Sequence, residues 1–301
     1  MTIRKLLVFG ATGTQGHPVV EAALEEGLSV RAATRDLDEA EEKLPGRVEK
    51  VRADLLDAED VHDAAEGVEA IFFHLPAMPD APEAERAVDH VLAAASAQGV
   101  ARIVFTTGGY CGEQMPPGEF VDALRRLSDR ILSADVPAVV LRPTLYLANL
   151  VWPHLFREVR DYGRLTYPPL GADRRLNWTA TEDQGRIAVA CLKADVAGEA
   201  IDIASPEAIT GPELCRLLAE IHGREVHFAP QSIDEFANTM SHLSGSAHVA
   251  QLIAGLYEGY ASLDEGPLVD TDALQRRLDV RLTPVSRWVR DRLGYLLSLY
   301  A

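Results

Sequence analysis

Three glycines near the start of the chain have the spacing of a phosphate-binding turn. The apolar run Lys5–Phe9 leads into Gly10-Ala-Thr-Gly13-Thr-Gln-Gly16, and helical spacing begins at His17. Gly10 permits a tight turn, Gly13 lets the backbone approach a pyrophosphate, and Gly16 lets a helix pack closely on the strand. The helix N-terminus then presents free N–H groups and partial positive charge to the phosphates. A turn that binds nothing is the plainer alternative, but the strand–turn–helix context favours a bound dinucleotide.

The end of the second apolar run carries the residues that would choose between the two nicotinamide cofactors. Thr34 and Arg35 close this run, and Asp36 follows. An arginine accommodates a 2′-phosphate, whereas an acidic residue hydrogen-bonds a ribose 2′-hydroxyl. We therefore expect NADP(H) to be preferred over NAD(H). In the alternative interpretation Arg35 is an exposed loop charge and Asp36 binds the ribose.

Alternating periodicities predict the elements that must position these residues. Short apolar runs indicate buried strands, and segments with helical spacing separate them. The predicted strands are 5–9, 29–34, 48–52, 70–74, 102–107 and 138–142, and the predicted helices are 17–26, 37–43, 58–66, 83–98 and 120–133. This alternation predicts an α/β fold with a doubly wound parallel sheet of the Rossmann type.

The regular alternation of strand and helix patterns ends at Pro143. Aromatic residues, prolines and glycines fill residues 144–181, and the later patterns predict helices 182–193, 212–222, 233–238 and 247–260 and one strand, 200–204. We expect a dinucleotide-binding domain over residues 1–145 and a smaller C-terminal α/β lobe over 146–301. This lobe would bind substrate, interleave with the sheet and lack a clean linker.

Short sequence motifs spread along most of the chain resemble those of the atypical short-chain dehydrogenase/reductase group, and within it the NmrA-like branch. They are the glycine turn in its GxxGxxG form, Thr34-Arg35, Ala53-Asp54-Leu55, Phe73-His-Leu-Pro76, Leu141-Arg-Pro143 and Ile209-Thr-Gly-Pro-Glu213. The resemblance implies a phosphate-binding arginine at Arg35 and an Asp-Leu pair near the adenine, although Asp54 is equally well explained as a helix cap or turn acid. The expected cofactor-binding residues are Gly10, Thr12, Gly13, Thr14, Gln15, Gly16, Arg35, Asp54, Leu55, Leu75, Pro76, Thr106 and Pro143.

The usual catalytic pair of short-chain reductases is missing. In that group a tyrosine acid and a lysine four residues later lie on the helix after strand five, but here this helix contains neither residue type. Asp122 and Arg126 fall at those two positions and are expected to form an ordinary i, i+4 ion pair. The NmrA-like branch includes both true reductases and proteins that bind the nucleotide without turning it over.

Candidate groups for chemistry lie at the carboxyl ends of the later strands. The resemblance places a substrate-facing hydroxyl at Thr107, and Tyr110 follows in a Gly-Gly-Tyr turn. We take these two residues as the catalytic candidates, although a packed loop aromatic is the plainer interpretation of Tyr110. His74 ends strand four, at the sheet edge where ligands bind, and is expected to line the substrate pocket or cofactor channel.

A second group of pocket candidates follows Pro143. Tyr146, Asn149 and Trp152 lie where the resemblance implies the start of the substrate pocket, although core packing explains their aromatic side chains equally well. His154 is expected to be structural. A pocket between Thr107, Tyr110 and Asn149 would support this interpretation.

Composition limits the partners. The formal net charge of −17 disfavours nucleic acid and anionic membrane surfaces. Three widely spaced cysteines give no zinc-ligand pattern, and no stretch is long enough for a membrane span, so we expect a cytoplasmic protein without a metal. The expected partner is a small-molecule substrate, and a homodimer is left open.

Three functions remain open from sequence. The first is an NADP(H)-dependent oxidoreductase that transfers hydride to a small carbonyl- or quinone-type substrate, with positioning supplying much of the rate. The second is a non-catalytic NADP(H) sensor, which the missing tyrosine and lysine favour. The third is redox-neutral chemistry, such as dehydration, cyclisation or isomerisation, on the same scaffold.

Overall fold

The first half of the chain alternates strand and helix, as predicted. A computed structural model describes residues 3–75 and 81–299. The strands are β1 (Lys5–Phe9), β2 (Ser29–Thr34), β3 (Glu49–Arg52), β4 (Ala70–His74), β5 (Arg102–Thr106) and β6 (Ala138–Pro143). The helices are α1 (His17–Glu25), α2 (Leu37–Lys43), α3 (Ala58–Ala64), α4 (Ala81–Ala97) and α5 (Glu119–Leu132). Their boundaries differ from the predicted ones by two residues or fewer at each end.

The second half contains shorter strands and several helices that periodicity did not predict. The strands are β7 (Leu145–Tyr146), β8 (Arg164–Leu165), β9 (Leu176–Thr179), β10 (Glu199–Ile203), β11 (Ala208–Ile209) and β12 (His227–Phe228). The predicted helices are found as α7 (Thr181–Cys191), α8 (Gly211–His222), α9 (Ile233–Ser244) and α10 (Ala247–Ser262), and α6 (Pro153–Tyr162), α11 (Thr271–Leu278), α12 (Val285–Trp288) and α13 (Gly294–Ser298) are additional. Helix α9 runs six residues beyond its predicted end because a capping box at Ser232 starts it and Gly245 stops it.

Seven parallel strands form the main sheet in the order β10-β6-β5-β4-β1-β2-β3. The order of the strands reverses between β1 and β4. The chain runs outward from β1 to β3 and then crosses to β4 on the other side of β1. In open α/β sheets such a switch point, at the carboxyl ends of the strands, is where ligands bind. The glycine turn after β1 and His74 at the end of β4 both lie at this point.

Helices cover both faces of this sheet. One buried cluster joins the sheet to α1, α2, α7 and α11, and a second joins it to α3, α4 and α5. A third cluster joins the second half to residues around the start of α5 and includes Tyr110, Trp178, Phe236 and Tyr257. The fold is therefore the predicted doubly wound α/β type.

The second half is tied into the sheet at two places. Strand β10 pairs in parallel with β6, and α7 packs on α1 so closely that a Cβ at Gly185 would collide with the carbonyl oxygen of Pro18. The buried carboxylate of Asp183 in α7 also accepts hydrogen bonds from the backbone and hydroxyl of Thr283. The first two contacts join the second half to the sheet and to α1, and the third joins α7 to the segment that follows α11. Within the described residues, no helix combines the length and apolarity needed to cross a membrane.

Candidate functional site

The glycine turn is held by the protein's own backbone. Gly10 adopts a φ of 67°, and a Cβ there would collide with the His74 ring. A Cβ at Gly16 would collide with the carbonyl oxygen of Gly10, whereas one at Gly13 would lie 3.3 Å from that oxygen. Gly10 and Gly16 are therefore required by internal packing, whereas a Cβ at Gly13 needs only a small shift of the Gly10 carbonyl oxygen.

The N-terminus of α1 leaves donors for a ligand. Gly16 supplies no side-chain cap. Among the described residues, no protein acceptor engages the backbone N–H groups of Thr14, Gln15 and Gly16. Uncapped N–H groups at a helix N-terminus bind phosphate well. This arrangement fits the pyrophosphate of a dinucleotide.

The His74 ring packs against the glycine turn. Its ring is buried, and Nδ1 donates to the carbonyl oxygen of Leu75 at 3.0 Å. Burial lowers the pKa of His74, so the ring is neutral near pH 7. The His74 ring thus packs against Gly10 and also borders the cavity described below.

At the end of β2, the side chains of Arg35 and Asp36 differ in their hydrogen-bond partners. The Asp36 carboxylate caps α2 by accepting from the Glu39 N–H at 3.0 Å. Arg35 is exposed, and among the described residues its guanidinium makes no hydrogen bond or ion pair. The Thr12 hydroxyl donates to Glu39 Oε2 at 3.0 Å, so its proton is not available to a ligand phosphate. Arg35 is therefore free to meet a ligand phosphate, whereas one carboxylate oxygen of Asp36 is engaged at the helix cap.

Asp54 makes the hydrogen bonds of a turn residue, which is the alternative to an adenine contact that the sequence left open. Its Oδ1 accepts from the Leu56 N–H at 2.9 Å, and its own N–H donates to Asp60 Oδ2 at 3.0 Å. Asp54 therefore acts as a turn residue at the end of β3, with Leu55 half-buried beside it. Its second carboxylate oxygen is left for other partners.

One cavity of about 370 Å³ opens beside the switch point. Its wall joins residues from the glycine turn and strand ends to α5, α9 and α10, and most of the lining is apolar. The predicted site residues that line it are Gln15, His74, Leu75, Thr107, Tyr110, Tyr146, Asn149 and Trp152. The pocket expected between Thr107, Tyr110 and Asn149 is thus present.

Of the predicted cofactor residues that the structure describes, two, Gln15 and Leu75, are part of this wall. The others lie outside it: Gly10, Thr12, Gly13, Thr14, Gly16, Arg35, Asp54, Leu55, Thr106 and Pro143. Thr106 faces α7 rather than the cavity, and Pro143 is buried at the end of β6. Pro76 lies outside the described residues.

A hydrogen-bond network links the glycine turn to the second half. The Tyr146 hydroxyl lies 3.1 Å from Gln15 Oε1 and 2.6 Å from Gln184 Oε1. Thr106 Oγ1 donates to the same Gln184 oxygen at 3.2 Å. Burial raises the pKa of Tyr146, so its hydroxyl remains protonated. Sequence reasoning missed Gln184, although the apolar residues three, four and seven positions later place it on the buried face of α7.

The hydroxyls of both catalytic candidates are already engaged. Thr107 Oγ1 donates to the Gly109 carbonyl oxygen at 2.6 Å, and the Tyr110 hydroxyl donates to Asp202 Oδ2 at 3.0 Å. Asp202 is in turn held by Arg142 Nε at 2.6 Å. Burial, followed by the Asp202 charge, raises the pKa of Tyr110. This geometry favours the packed aromatic over a proton donor at Tyr110.

Aromatic residues build the far side of the cavity. Asn149 Nδ2 donates to the Tyr167 hydroxyl oxygen at 2.8 Å, and the Tyr257 hydroxyl donates to the same oxygen at 2.7 Å. Burial raises the pKa of Tyr167 to about 12. The Trp152 ring centroid lies 6.2 Å from that of Tyr167. The His154 ring centroid lies 6.0 Å from that of Trp152, and His154 is not among the cavity-lining residues described.

The prediction that Asp122 pairs with Arg126 on α5 is wrong. Asp122 pairs with Arg125 at 3.5 Å, one residue before the expected Arg126. Arg125 turns toward the loop before α5, where its guanidinium donates to three backbone carbonyls, whereas Arg126 borders the cavity. No cluster of three or more His, Cys, Asp or Glu residues suited to a metal is found within residues 3–75 and 81–299.

Comparisons with known proteins agree with this architecture. The chain is 25% identical over 253 residues to an NAD(P)H azoreductase from Xenophilus azovorans, covering 84% of this chain and 86% of the relative. It is 28% identical over 232 residues to a (4-alkanoyl-5-oxo-2,5-dihydrofuran-3-yl)methyl phosphate reductase from Streptomyces griseus, covering 76% and 78%. The fold matches an NADPH-dependent quinone oxidoreductase from Escherichia coli with a TM-score of 0.73 at 20% identity, covering 96% and 99% of the two chains.

A family model gives the broadest match. The model of the NmrA-like family matches residues 2–279, which is most of the 301-residue chain. This match agrees with the sheet order described above. The chain therefore belongs to the NmrA-like family.

Proposed function

We propose that the protein is an NADP(H)-dependent reductase that delivers hydride to a small, flat organic substrate of the carbonyl or quinone type. The observation that carries the proposal is the cavity that joins the edge of the glycine turn to an apolar helical wall. When bound, NADPH supplies a hydride. The chain's own residues then have to hold the cofactor at one end of the cavity and the substrate at the other.

The groups that would hold the cofactor are mostly backbone atoms. The free N–H groups of Thr14, Gln15 and Gly16 would bind the pyrophosphate, and Arg35 would bind the 2′-phosphate. Capping of α2 engages Oδ1 of Asp36, which supports a phosphate contact from Arg35, and so NADP(H), over a ribose contact from Asp36. The names of the two sequence relatives, both reductases, support the same reaction class.

The cavity suits a flat conjugated substrate. Its volume of about 370 Å³ lies at the lower end of the range for small-molecule sites, and aromatic and aliphatic side chains form most of its wall. The ring of Tyr110 and the ring of Trp152 offer apolar surfaces, and the Asn149 amide offers a polar contact. Holding the substrate carbon against the nicotinamide would contribute most of the rate acceleration.

The proton is proposed to come from water. Helix α5 has neither tyrosine nor lysine, and the Thr107 and Tyr110 hydroxyls donate to protein acceptors. We therefore assign Thr107 and Tyr110 a positioning role in place of proton donation. A quinone suits this arrangement, because the hydroquinone anion left by hydride transfer is stable enough to collect its proton from solvent.

A second candidate is a sensor of the NADP⁺/NADPH ratio. The engaged hydroxyls favour it, since a protein that only binds the nucleotide needs no acid. Such a sensor must bind the oxidised and reduced forms with different affinities.

Turnover measurements separate the two functions. Purified protein is mixed with NADPH and a panel of quinones and ketones, and the absorbance of the reduced nicotinamide is followed. The proposal predicts turnover that falls in Ala123→Phe, which fills the cavity, while NADPH affinity is kept. Asp129→Phe, on the exposed face of α5, is the matched control. No turnover with any substrate would contradict the reductase, and calorimetry would then support the sensor only if the two nucleotide forms bind unequally.

A further inference from the structure

Two neighbouring arginines on α5 have opposite environments. The Arg125 guanidinium donates to the carbonyl oxygens of Cys111, Gly112 and Met115. Arg126 borders the cavity and is exposed, and within the described parts of the chain no acceptor or carboxylate engages it. One turn later Arg130 is also paired, with Asp89 at 2.6 Å. Arg126 is therefore the arginine of this helix that internal structure does not use.

The charges around the cavity are unevenly placed. Its charged or titratable lining residues at the exposed rim are Glu85, Glu119, Arg126 and His248, and Arg126 is the one arginine or lysine among the lining residues described. Glu119 precedes Arg126 by seven residues, which places both on one side of α5 two turns apart. The remaining wall is largely apolar. A ligand with one charged end would therefore meet a cation at one point of the rim and an acid at another.

A guanidinium matches anions by geometry as well as by charge. Its planar donors bind carboxylate, sulfonate or phosphate oxygens in pairs. Because the protein as a whole carries a formal charge of −17, an anionic ligand needs a local cation to bind at this rim. Arg126 supplies one next to an apolar wall.

We propose that Arg126 determines specificity by binding an anionic substituent on an otherwise flat, apolar substrate. The substrate class is thus an aromatic or conjugated molecule with a carboxylate, sulfonate or phosphate at one end. Glu119 repels that end and so directs it toward Arg126. This inference rests on the proposed function for its catalytic meaning, but ligand binding tests it without turnover.

Two fluorescent probes that differ by one sulfonate provide the test. The affinities of 8-anilinonaphthalene-1-sulfonate and neutral N-phenyl-1-naphthylamine are measured by fluorescence titration. Arg126→Gln should weaken binding of the sulfonate about fivefold, the upper end for an exposed ion pair, and change the neutral probe less than about twofold. Glu119→Gln should tighten the sulfonate, and Arg130→Gln, whose arginine is paired outside the cavity, should change neither probe.

Three outcomes would overturn the inference. Equal sulfonate affinity in Arg126→Gln and the parent would remove the anion contact. Equal weakening of both probes would show that Arg126 packs against ligands without reading their charge. Undiminished binding of both probes by Ala123→Phe would place them outside the cavity.

Turnover distinguishes this inference from the proposed function. The ratio of kcat/KM for 1,2-naphthoquinone-4-sulfonate to that for 1,2-naphthoquinone should fall in Arg126→Gln. If neither quinone is reduced while the probes still discriminate, the reductase proposal fails and the anion site stands. If both quinones are reduced and the ratio is unchanged, the anion site fails and the reductase stands.

Discussion

The two ends of the cavity are built from different materials. At the glycine turn the boundary is main chain, and its shape depends on missing side chains at Gly10 and Gly16. At the opposite end the boundary is side chains from α5, α9 and α10, such as Phe120, Phe236 and Tyr257. A main-chain boundary tolerates almost no substitution, whereas a side-chain boundary can change one residue at a time. The first end therefore suits a constant cofactor, and the second suits a substrate that differs among relatives.

The largest expected effect comes from Gly16→Ala. The added Cβ would collide with the backbone of Gly10, so β1 and α1 must separate. We expect a loss of about 3 kcal/mol in the free energy of unfolding, measured by denaturant titration, together with loss of NADPH binding. Gly46→Ala is the control, because a Cβ at Gly46 meets open space. A stable variant that binds NADPH normally would show that the turn is not limited by its backbone.

Arg35→Ala should affect the choice of cofactor. Removing a guanidinium from a phosphate costs about 1.5–3 kcal/mol, or roughly tenfold to a hundredfold in the dissociation constant of NADPH. NADH affinity should hardly change, because NADH lacks the 2′-phosphate. Calorimetry with both nucleotides measures this, with the exposed Arg47→Ala as control. Tighter binding of NADH than NADPH by the parent would favour Asp36 as the ribose ligand.

Tyr257→Phe tests the side-chain end. It removes the hydrogen bond from Tyr257 to the Tyr167 hydroxyl and leaves the one from Asn149. We expect a loss of about 1 kcal/mol in the free energy of unfolding and an altered KM for the organic substrate. NADPH affinity should remain that of the parent. A large change in NADPH affinity would mean that the two ends of the cavity are not independent.

The smallest expected effect is that of pH on turnover. Burial lowers the pKa of His74 and raises the pKa values of Tyr110 and Tyr146, so these groups keep one charge state between about pH 7 and 9. With water as the proton source, kcat for a neutral quinone should change less than about twofold over this range. A tenfold fall per pH unit would instead reveal a titrating acid in the cavity.

The first half of the fold could be read from local pattern. The apolar runs that form β1, β2 and β4 end where the strands end, and the glycine spacing predicts the turn after β1. Four strands of the second half have only two residues each: β7, β8, β11 and β12. Two residues are too few to show the alternating pattern that predicts a strand. Helix α6 was missed because it begins at Pro153 inside a segment rich in aromatics, prolines and glycines.

The candidate site shows the same division. The strand-end residues were predicted because parallel strands deliver their carboxyl ends to one edge. The residues Ile253, Leu256, Tyr257 and Tyr260 have the i, i+3, i+4, i+7 spacing of an apolar face, yet spacing alone does not say what that face covers. The different environments of Arg125 and Arg126 depend on the loop that packs before α5, which no local pattern contains.

Gly13→Val tests the central claim most directly, because a Cβ at Gly13 approaches the protein only at the Gly10 carbonyl oxygen, 3.3 Å away. The variant should keep nearly the Tm of the parent, while calorimetry should show at least about a hundredfold loss of NADPH affinity, since the side chain occupies the space of the pyrophosphate. Gly46→Val serves as the matched control. A folded Gly13→Val protein that binds NADPH as tightly as the parent would contradict the assignment of this turn as the cofactor site.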